Sequence, residues 1–276
     1  MPAGRSAAAR PPARPDFPAR KSLGQHFLRD ANLIRRIVDA AGDLADAHVI
    51  EIGPGPGSLT ASLLATPAAS VTAIEIDPRA AASLADLAAR EGGRFRLIMA
   101  DARGVPLPSL VPPPRHVVAN LPYNVATPLL ISWLGEAAAF AGLTLMFQAE
   151  VAERIVAAPG APAYGRLAIL AQWTCRVRIA LRLPPEAFTP RPKVSSAVVS
   201  LVPHAEQPPA PLFAAMQRLT AAAFGQRRKM LRAALRPLGG DALLKAAGIA
   251  PERRAETLSI AEFDRLARLL PAESRS

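Results

Sequence analysis

The chain has 276 residues, a formal net charge of +11 and an apolar fraction of 50%, enough for one large α/β unit with a smaller companion. The single cysteine, Cys175, excludes an internal disulfide and fits a reducing compartment. The four scattered histidines, His26, His48, His116 and His204, offer no metal-ligand spacing, and no apolar run reaches the length of a membrane span.

The first twenty residues hold five prolines, four arginines and one acid, Asp16. Proline denies this stretch a stable helix, so 1–20 is expected to be a disordered basic tail that can touch nucleic acid. A transit peptide is also Arg-rich and acid-poor, but the proline density argues against its amphipathic helix. Strand-length apolar runs then recur at His48–Ile52, Val71–Ile76, Phe95–Met99, His116–Ala119, Leu143–Gln148, Arg176–Leu183 and Ala197–Val202. Helical segments such as Ala31–Ala41, Leu59–Ala65 and Ala80–Arg90 separate the first five. Strands alternating with helices predict a parallel, doubly wound α/β sheet. The last two runs are joined by the Pro-rich segment 184–192 without a helix, which predicts an antiparallel pair at one sheet edge.

The first run leads into Gly53-Pro54-Gly55-Pro56-Gly57 and then a helix. Glycines there let a backbone approach a ligand closely. The second run brings Glu75, twenty residues beyond Gly55, to the point where an acid grips ribose hydroxyls. The third ends near Asp101, whose carboxylate suits an adenine amine. Such a turn serves nicotinamide enzymes, flavoenzymes and methyltransferases. The fourth run ends in Asn120-Leu121-Pro122-Tyr123-Asn124. A strand ending this way aims an amide oxygen (Asn120), a carbonyl (Leu121) and a ring (Tyr123) into one pocket. Taken alone the tetrad also suits a β-turn. Beside a nucleoside site it suits an aromatic amine held by two acceptors next to a methyl donor. Together with the missing third glycine of the dinucleotide fingerprint, this favours S-adenosylmethionine over NAD.

Between Arg176 and Arg236 the chain carries eleven basic residues against two acids, Glu186 and Glu206. A single-sign field of that size points to a polyanion partner. Beyond the Pro-rich stretch 203–211 the spacing of Leu212, Met216, Leu219 and Ala223 predicts helices over 210–276. The i, i+4, i+8 spacing of Arg228, Arg232 and Arg236 predicts one row on a helix surface, and Arg227, Arg228, Lys229 and Arg232 are expected to position the polyanion.

Several segments resemble, in order, the ribosomal RNA adenine dimethyltransferases: Lys21–Leu28, Glu51–Gly57, Asn120–Asn124, Phe147–Arg154, Tyr164–Leu167, Phe188–Val194, Ala223–Lys229 and Arg254–Ser259. The resemblance covers about 21–270. It implies a Rossmann-like class I methyltransferase sheet with a small C-terminal all-helical domain: a basic tail (1–20), an S-adenosylmethionine-dependent methyltransferase domain (21–205) and a helical RNA-binding domain (210–276). It also implies cofactor contacts at His26, Leu28, Gly53, Glu75, Asp101 and Asn120, with the target base between Tyr123 and Phe188. His26 stands where the family usually has Asn, Ser195 where Asp is common and Gly225 where Asn is common. The implied reaction is N6,N6-dimethylation of two adjacent adenosines in a hairpin loop near the 3′ end of small-subunit (16S) rRNA. The implied partner is rRNA within a pre-ribosomal 30S particle. A monomer acting in the cytoplasm during ribosome biogenesis, without metal or membrane, is expected. Competing readings are a methyltransferase of large-subunit RNA, one of DNA or protein amides, and an assembly factor whose catalysis is secondary.

Overall fold

The computed structural model describes residues 17–20, 24–226 and 229–271. Most of the expected tail, residues 21–23 of the N-terminal motif, and Arg227 and Arg228 lie outside the described residues. The strands are β1 (Phe27–Leu28), β2 (His48–Ile52), β3 (Ser70–Glu75), β4 (Phe95–Met99), β5 (Arg115–Asn120), β6 (Gly142–Gln148), β7 (Cys175–Leu183), β8 (Phe188–Thr189) and β9 (Ser196–Pro203). All but β1 and β8 join one sheet in the order β4-β3-β2-β5-β6-β9-β7. The first five of that order run parallel. Strand β9 enters antiparallel beside β6, and β7 closes the edge antiparallel to β9. The expected edge pair is thus present, and each expected strand run lies within one residue of the observed bounds. Because β3 and β5 flank β2 on opposite sides, the winding reverses there, and a crevice opens at the C-terminal ends of β2 and β5.

Strand alternation supplies two apolar layers. Val49, Val71, Ala73 and Val118 face α1 (Ala31–Asp39), α2 (Ser58–Leu64) and α3 (Arg79–Glu91). Ile50, Ile52, Ile74, Val117 and Ala119 belong to the other layer, with α4 (Tyr123–Leu134), α5 (Ala149–Val156) and α6 (Arg166–Thr174). The C-terminal elements α7 (Ala210–Gly225), α8 (Leu231–Ala234), α9 (Gly240–Ala246) and α10 (Ile260–Leu269) are built onto this second layer. Phe213, Met216, Leu219, Phe263 and Leu266 share one apolar cluster with Trp133 and Leu170. The Trp173 ring stacks on Phe213 at 6.2 Å, and its indole N–H donates to Asp264 at 3.1 Å. The described residues of 210–271 are therefore mostly helical, as expected, and share the apolar core of the sheet.

The segment before α10 is a joint. The Tyr164 hydroxyl donates to the Leu258 carbonyl at 3.0 Å. Ser259 and Glu262 form a reciprocal capping box at the start of α10. The Arg253 guanidinium pairs with Glu262 and holds its carboxyl down at about 2.

One expectation about the basic residues needs correction. Arg232 and Arg236 do not lie on one helix: α7 ends at Gly225, Met230 is extended, α8 has four residues, and Arg236 opens a 3-10 turn whose next residue is Pro237. Proline brings no N–H to continue α8. Both arginines are exposed, on separate elements. On β7, a bulge between Ile179 and Leu181 shifts the register. Arg176 and Arg178 lie opposite Val202 and Ser200, but Arg182 lies opposite Ala197. Arg182 therefore projects from the other sheet face, where it pairs with Glu153 of α5 at 2.6 Å.

Candidate active site

The crevice holds a cavity of about 290 Å³. Its floor is the turn that leaves β2. Gly53 takes φ +70, and a side chain there would project into open space, so a ligand can reach its backbone. Gly55 takes φ +52; a Cβ there would stand 2.8 Å from Phe27, so the turn tolerates no substituent on the side that the N-terminal segment covers.

Glu75 ends β3 and accepts three backbone N–H bonds: from Gly55 at 3.1 Å on one oxygen, and from Ile76 and Asp77 at 2.9 Å each on the other. The carboxylate is buried and fixed, yet the oxygen that Gly55 bonds keeps lone-pair capacity for a ligand hydroxyl. Asp101 lines the cavity, but its carboxylate is held by Arg103, from Nη2 at 2.6 Å and from the main-chain N–H at 3.0 Å. Those bonds, led by the guanidinium, hold its carboxyl below the usual range. The pair is solvent-exposed, so an incoming amine competes with an interaction that water screens.

Asn120 closes β5. Its Nδ2 donates to the His26 carbonyl at 3.0 Å, which leaves Oδ1 as the acceptor for a ligand. Among the described residues no N–H or O–H reaches the Leu121 carbonyl. Tyr123 opens α4, and its hydroxyl is bonded to Ser196 Oγ at 2.7 Å, which fixes the ring. Burial raises the Tyr123 phenol above its ordinary value, so it stays protonated. The arrangement offers two acceptors and one ring face within a single wall.

His26, Gly53, Glu75, Asp101, Asn120, Leu121 and Tyr123 all line this cavity. Leu28 instead lines a smaller adjoining cavity of about 30 Å³, together with Glu51, Gly53 and Asn120. Phe188 lines neither. It is 3% exposed and sits in an apolar cluster with Leu28, its neighbour in the β1–β8 pairing. Phe188, the expected second stacking wall, is thus buried beside the cavity's N-terminal segment and has no face on the cavity in this structure. The ring that faces Tyr123 is His26, with centroids 5.7 Å apart and planes 27° apart.

Four contributors were not expected from the sequence. Glu51 is wholly buried, with its Oε2 unpartnered among the described residues. Burial, with the Glu75 charge acting the same way, pushes its carboxyl up to about 8. Asp77 and Arg79 strap the N-terminal segment over the glycine turn. Gln25 Nε2 donates to Asp77 at 3.1 Å, Arg79 Nη1 donates to the Pro18 carbonyl at 2.8 Å, and the Arg79 guanidinium lies 4.6 Å from the Phe17 ring centre. The Arg79 bonds hold the Asp77 carboxyl at about 2. Ser196 is the fourth, through Tyr123. The only hint in the sequence was the acid before Pro78, a usual turn signal.

No group of three His, Cys, Asp or Glu among the described residues can hold a metal ion. No described helix is long and apolar enough to cross a membrane.

The ribosomal RNA adenine dimethylase family matches residues 16–271. The chain is 57% identical over 251 residues to ribosomal RNA small subunit methyltransferase A of Gluconobacter oxydans, covering 91% of this chain and 83% of that one. It is 55% identical to the protein of the same name in Paracoccus denitrificans, over 95% of both chains. Among solved structures it resembles a dimethyladenosine transferase from Plasmodium falciparum, with a TM-score of 0.73 and 26% identity over 87% of this chain and 96% of that one. It also resembles the 23S rRNA methyltransferase ErmE, with a TM-score of 0.67 and 28% identity over 88% and 99%. With a class I methyltransferase sheet, an amide oxygen and a ring at the end of β5, and a match over nearly its whole length, this chain belongs to the ribosomal RNA adenine dimethylase family and is an rRNA adenine dimethyltransferase.

Proposed function

We propose that this enzyme uses S-adenosylmethionine to dimethylate N6 of two adjacent adenosines in a hairpin loop near the 3′ end of small-subunit rRNA. It acts as a monomer on a pre-ribosomal 30S particle in the cytoplasm. The observation that carries the reading is the acceptor pair at the end of β5: Asn120 with its Nδ2 already bonded to His26, beside the free Leu121 carbonyl. An exocyclic amine that donates to both has its lone pair drawn out of ring conjugation and made nucleophilic. Small-subunit RNA is favoured over large-subunit RNA because the relatives above 50% identity carry the small-subunit name, whereas ErmE stands at 28%.

The residues fit S-adenosylmethionine. Gly53 leaves open space for close approach, Glu75 keeps acceptor capacity for ribose hydroxyls, and Asp101 stands where an adenine amine would be met. Leu28, Glu51 and the His26–Asn120 contact border the adjoining cavity, where an unpartnered carboxylate oxygen suits an ammonium group. When bound, the cofactor supplies a methyl group already activated as a sulfonium. The protein then has to position and align. Tyr123 stacks the base, and Asn120 and Leu121 hold its amine. The methylated amine is acidic enough to lose its proton to water, so the site needs no dedicated base. Phe188 contributes by fixing Leu28 and the N-terminal segment through the β1–β8 pair, and it gains a face on the base only if that pair shifts.

The target base has to leave its stack to enter. The exposed cations on β7, Arg176 and Arg178, and those after α7, Lys229, Arg232 and Arg236, supply phosphate contacts. Transfer of labelled methyl groups to purified, unmethylated small and large subunits tests the assignment. Label is expected in the small subunit only; label confined to the large subunit overturns it.

A further inference from the structure

Two strand ends carry the same local device, an acid followed two residues later by an arginine: Asp77 with Arg79 after β3, and Asp101 with Arg103 after β4. In both, Nε and Nη2 grip the carboxylate side-on, and the main-chain N–H of the arginine closes onto Oδ1. The surroundings differ. The Asp77 side chain has no exposure, and Arg79 is tied further to Pro18 and Phe17. The Asp101 and Arg103 side chains are 38% and 63% exposed, and both residues line the cofactor cavity. Asp101 is the only bonding partner of the Arg103 side chain among the described residues.

A carboxylate has about four acceptor sites. Arg103 directs contacts of 3.0 and 3.1 Å to Oδ1 and of 3.0 and 2.6 Å to Oδ2. The group that would accept the adenine amine of the cofactor is thus already saturated, by a side chain with nothing else to hold it. We propose that Arg103 is an internal competitor for the adenine subsite. Its guanidinium occupies Asp101 while the crevice is empty, yields an oxygen when the amine arrives, and retakes it as the spent cofactor leaves. Dimethylating two adenosines takes four transfers, so S-adenosylhomocysteine has to be released repeatedly. A competitor tethered two residues from Asp101 acts at high effective concentration and speeds that release. The inference rests on the reading of Asp101 as the adenine acceptor.

The test compares the full-length wild type with Arg103→Ala and Arg103→Gln. Affinities for S-adenosylmethionine and S-adenosylhomocysteine are measured by calorimetry at low and high salt, and release of labelled S-adenosylhomocysteine by rapid dilution. Both variants are expected to bind both forms about 1.5- to 5-fold tighter, the size of an exposed ion pair. Product release should slow by a similar factor. The difference should shrink at high salt, which screens the pair in the wild type. A product analogue with hydrogen in place of the adenine amine makes no call on Asp101, so wild type and variants should bind it equally. Unchanged or weaker binding of S-adenosylhomocysteine by Arg103→Ala overturns the proposal, as does an equal gain for the analogue without the amine. Asp101→Ala separates the two readings: lost affinity there upholds the adenine subsite whatever Arg103 does, and unchanged affinity strikes the subsite and the proposal together.

Discussion

Glu75, the proposed ribose acceptor, is also a structural acceptor, because one carboxylate binds the main chain of the glycine turn and of its own strand end. Glu75→Ala is expected to weaken cofactor binding by about 10- to 150-fold, from charge-assisted bonds of about 1.5–3 kcal/mol. It should also lower the melting temperature, since three N–H groups lose their acceptor. Unchanged affinity in calorimetric titration, with the fold intact, contradicts the ribose assignment. Glu51 behaves oppositely. Its folded-state carboxyl stands near 8, above the ordinary 4.5, so its contribution is fully present below about 4.5 and is lost as pH rises towards 8. Stability of the cofactor-free enzyme should therefore fall across that window by up to about 1.4 kcal/mol per pH unit. Glu51→Gln should remove this slope. Urea denaturation at several pH values checks it, and parallel curves for wild type and variant contradict it. The place of Glu75, Asp101 and Asn120 at the cavity was legible because strand ends of a βαβ pattern converge on one crevice. Glu51 was not, because burial of the second β2 face is a property of the assembled layers.

At the scale of elements, Asp77 and Arg79 add a strap to the β1–β8 pair and the Asn120–His26 bond in holding the N-terminal segment at the site. Arg79→Ala leaves the buried Asp77 carboxylate with Gln25, the main-chain N–H of residue 79 and the more distant Arg20 and should lower stability. Cofactor affinity should drop, and cleavage by protease near residue 20 should accelerate. With Arg79 present the Asp77 carboxyl sits near 2 against an ordinary 3.8. Its stabilisation is present above the ordinary value and lost as pH falls towards 2, so wild type and variant should converge in acid. Equal protease resistance of the two at neutral pH would show that the strap is not needed. The large strands were legible because runs of Val, Ile and Leu of strand length were bounded by turn residues. The β1–β8 pair was not, because two residues per strand carry no periodicity. The same holds for Phe188: an aromatic two residues before Pro190 reads equally as a stacking wall or as core, and only the pairing with Leu28 separates the two. The row expected from Arg228, Arg232 and Arg236 failed for the same kind of reason, since spacing was read across a helix end that Gly225 and Pro237 impose.

For the molecule as a whole, charge and fold are separable. Arg232 and Arg236 are exposed on the elements that follow α7, whose Leu231 and Leu235 belong to the second apolar layer, and neither lines the cavity. Arg232→Glu with Arg236→Glu should weaken small-subunit binding and flatten the slope of log affinity against log salt by about one unit per lost phosphate contact. Cofactor affinity and melting temperature should stay as they are; a lower melting temperature with an unchanged salt slope would show that these arginines serve the fold. The central claim concerns the amine held by Asn120 and Leu121, and mass spectrometry of rRNA from unmethylated small subunits incubated with enzyme and S-adenosylmethionine tests it most directly. N6,N6-dimethyladenosine at two adjacent positions of one hairpin loop, absent with Asn120→Ala, is the expected result. Methylation at a ring nitrogen or a ribose, or full dimethylation by Asn120→Ala, would contradict the account.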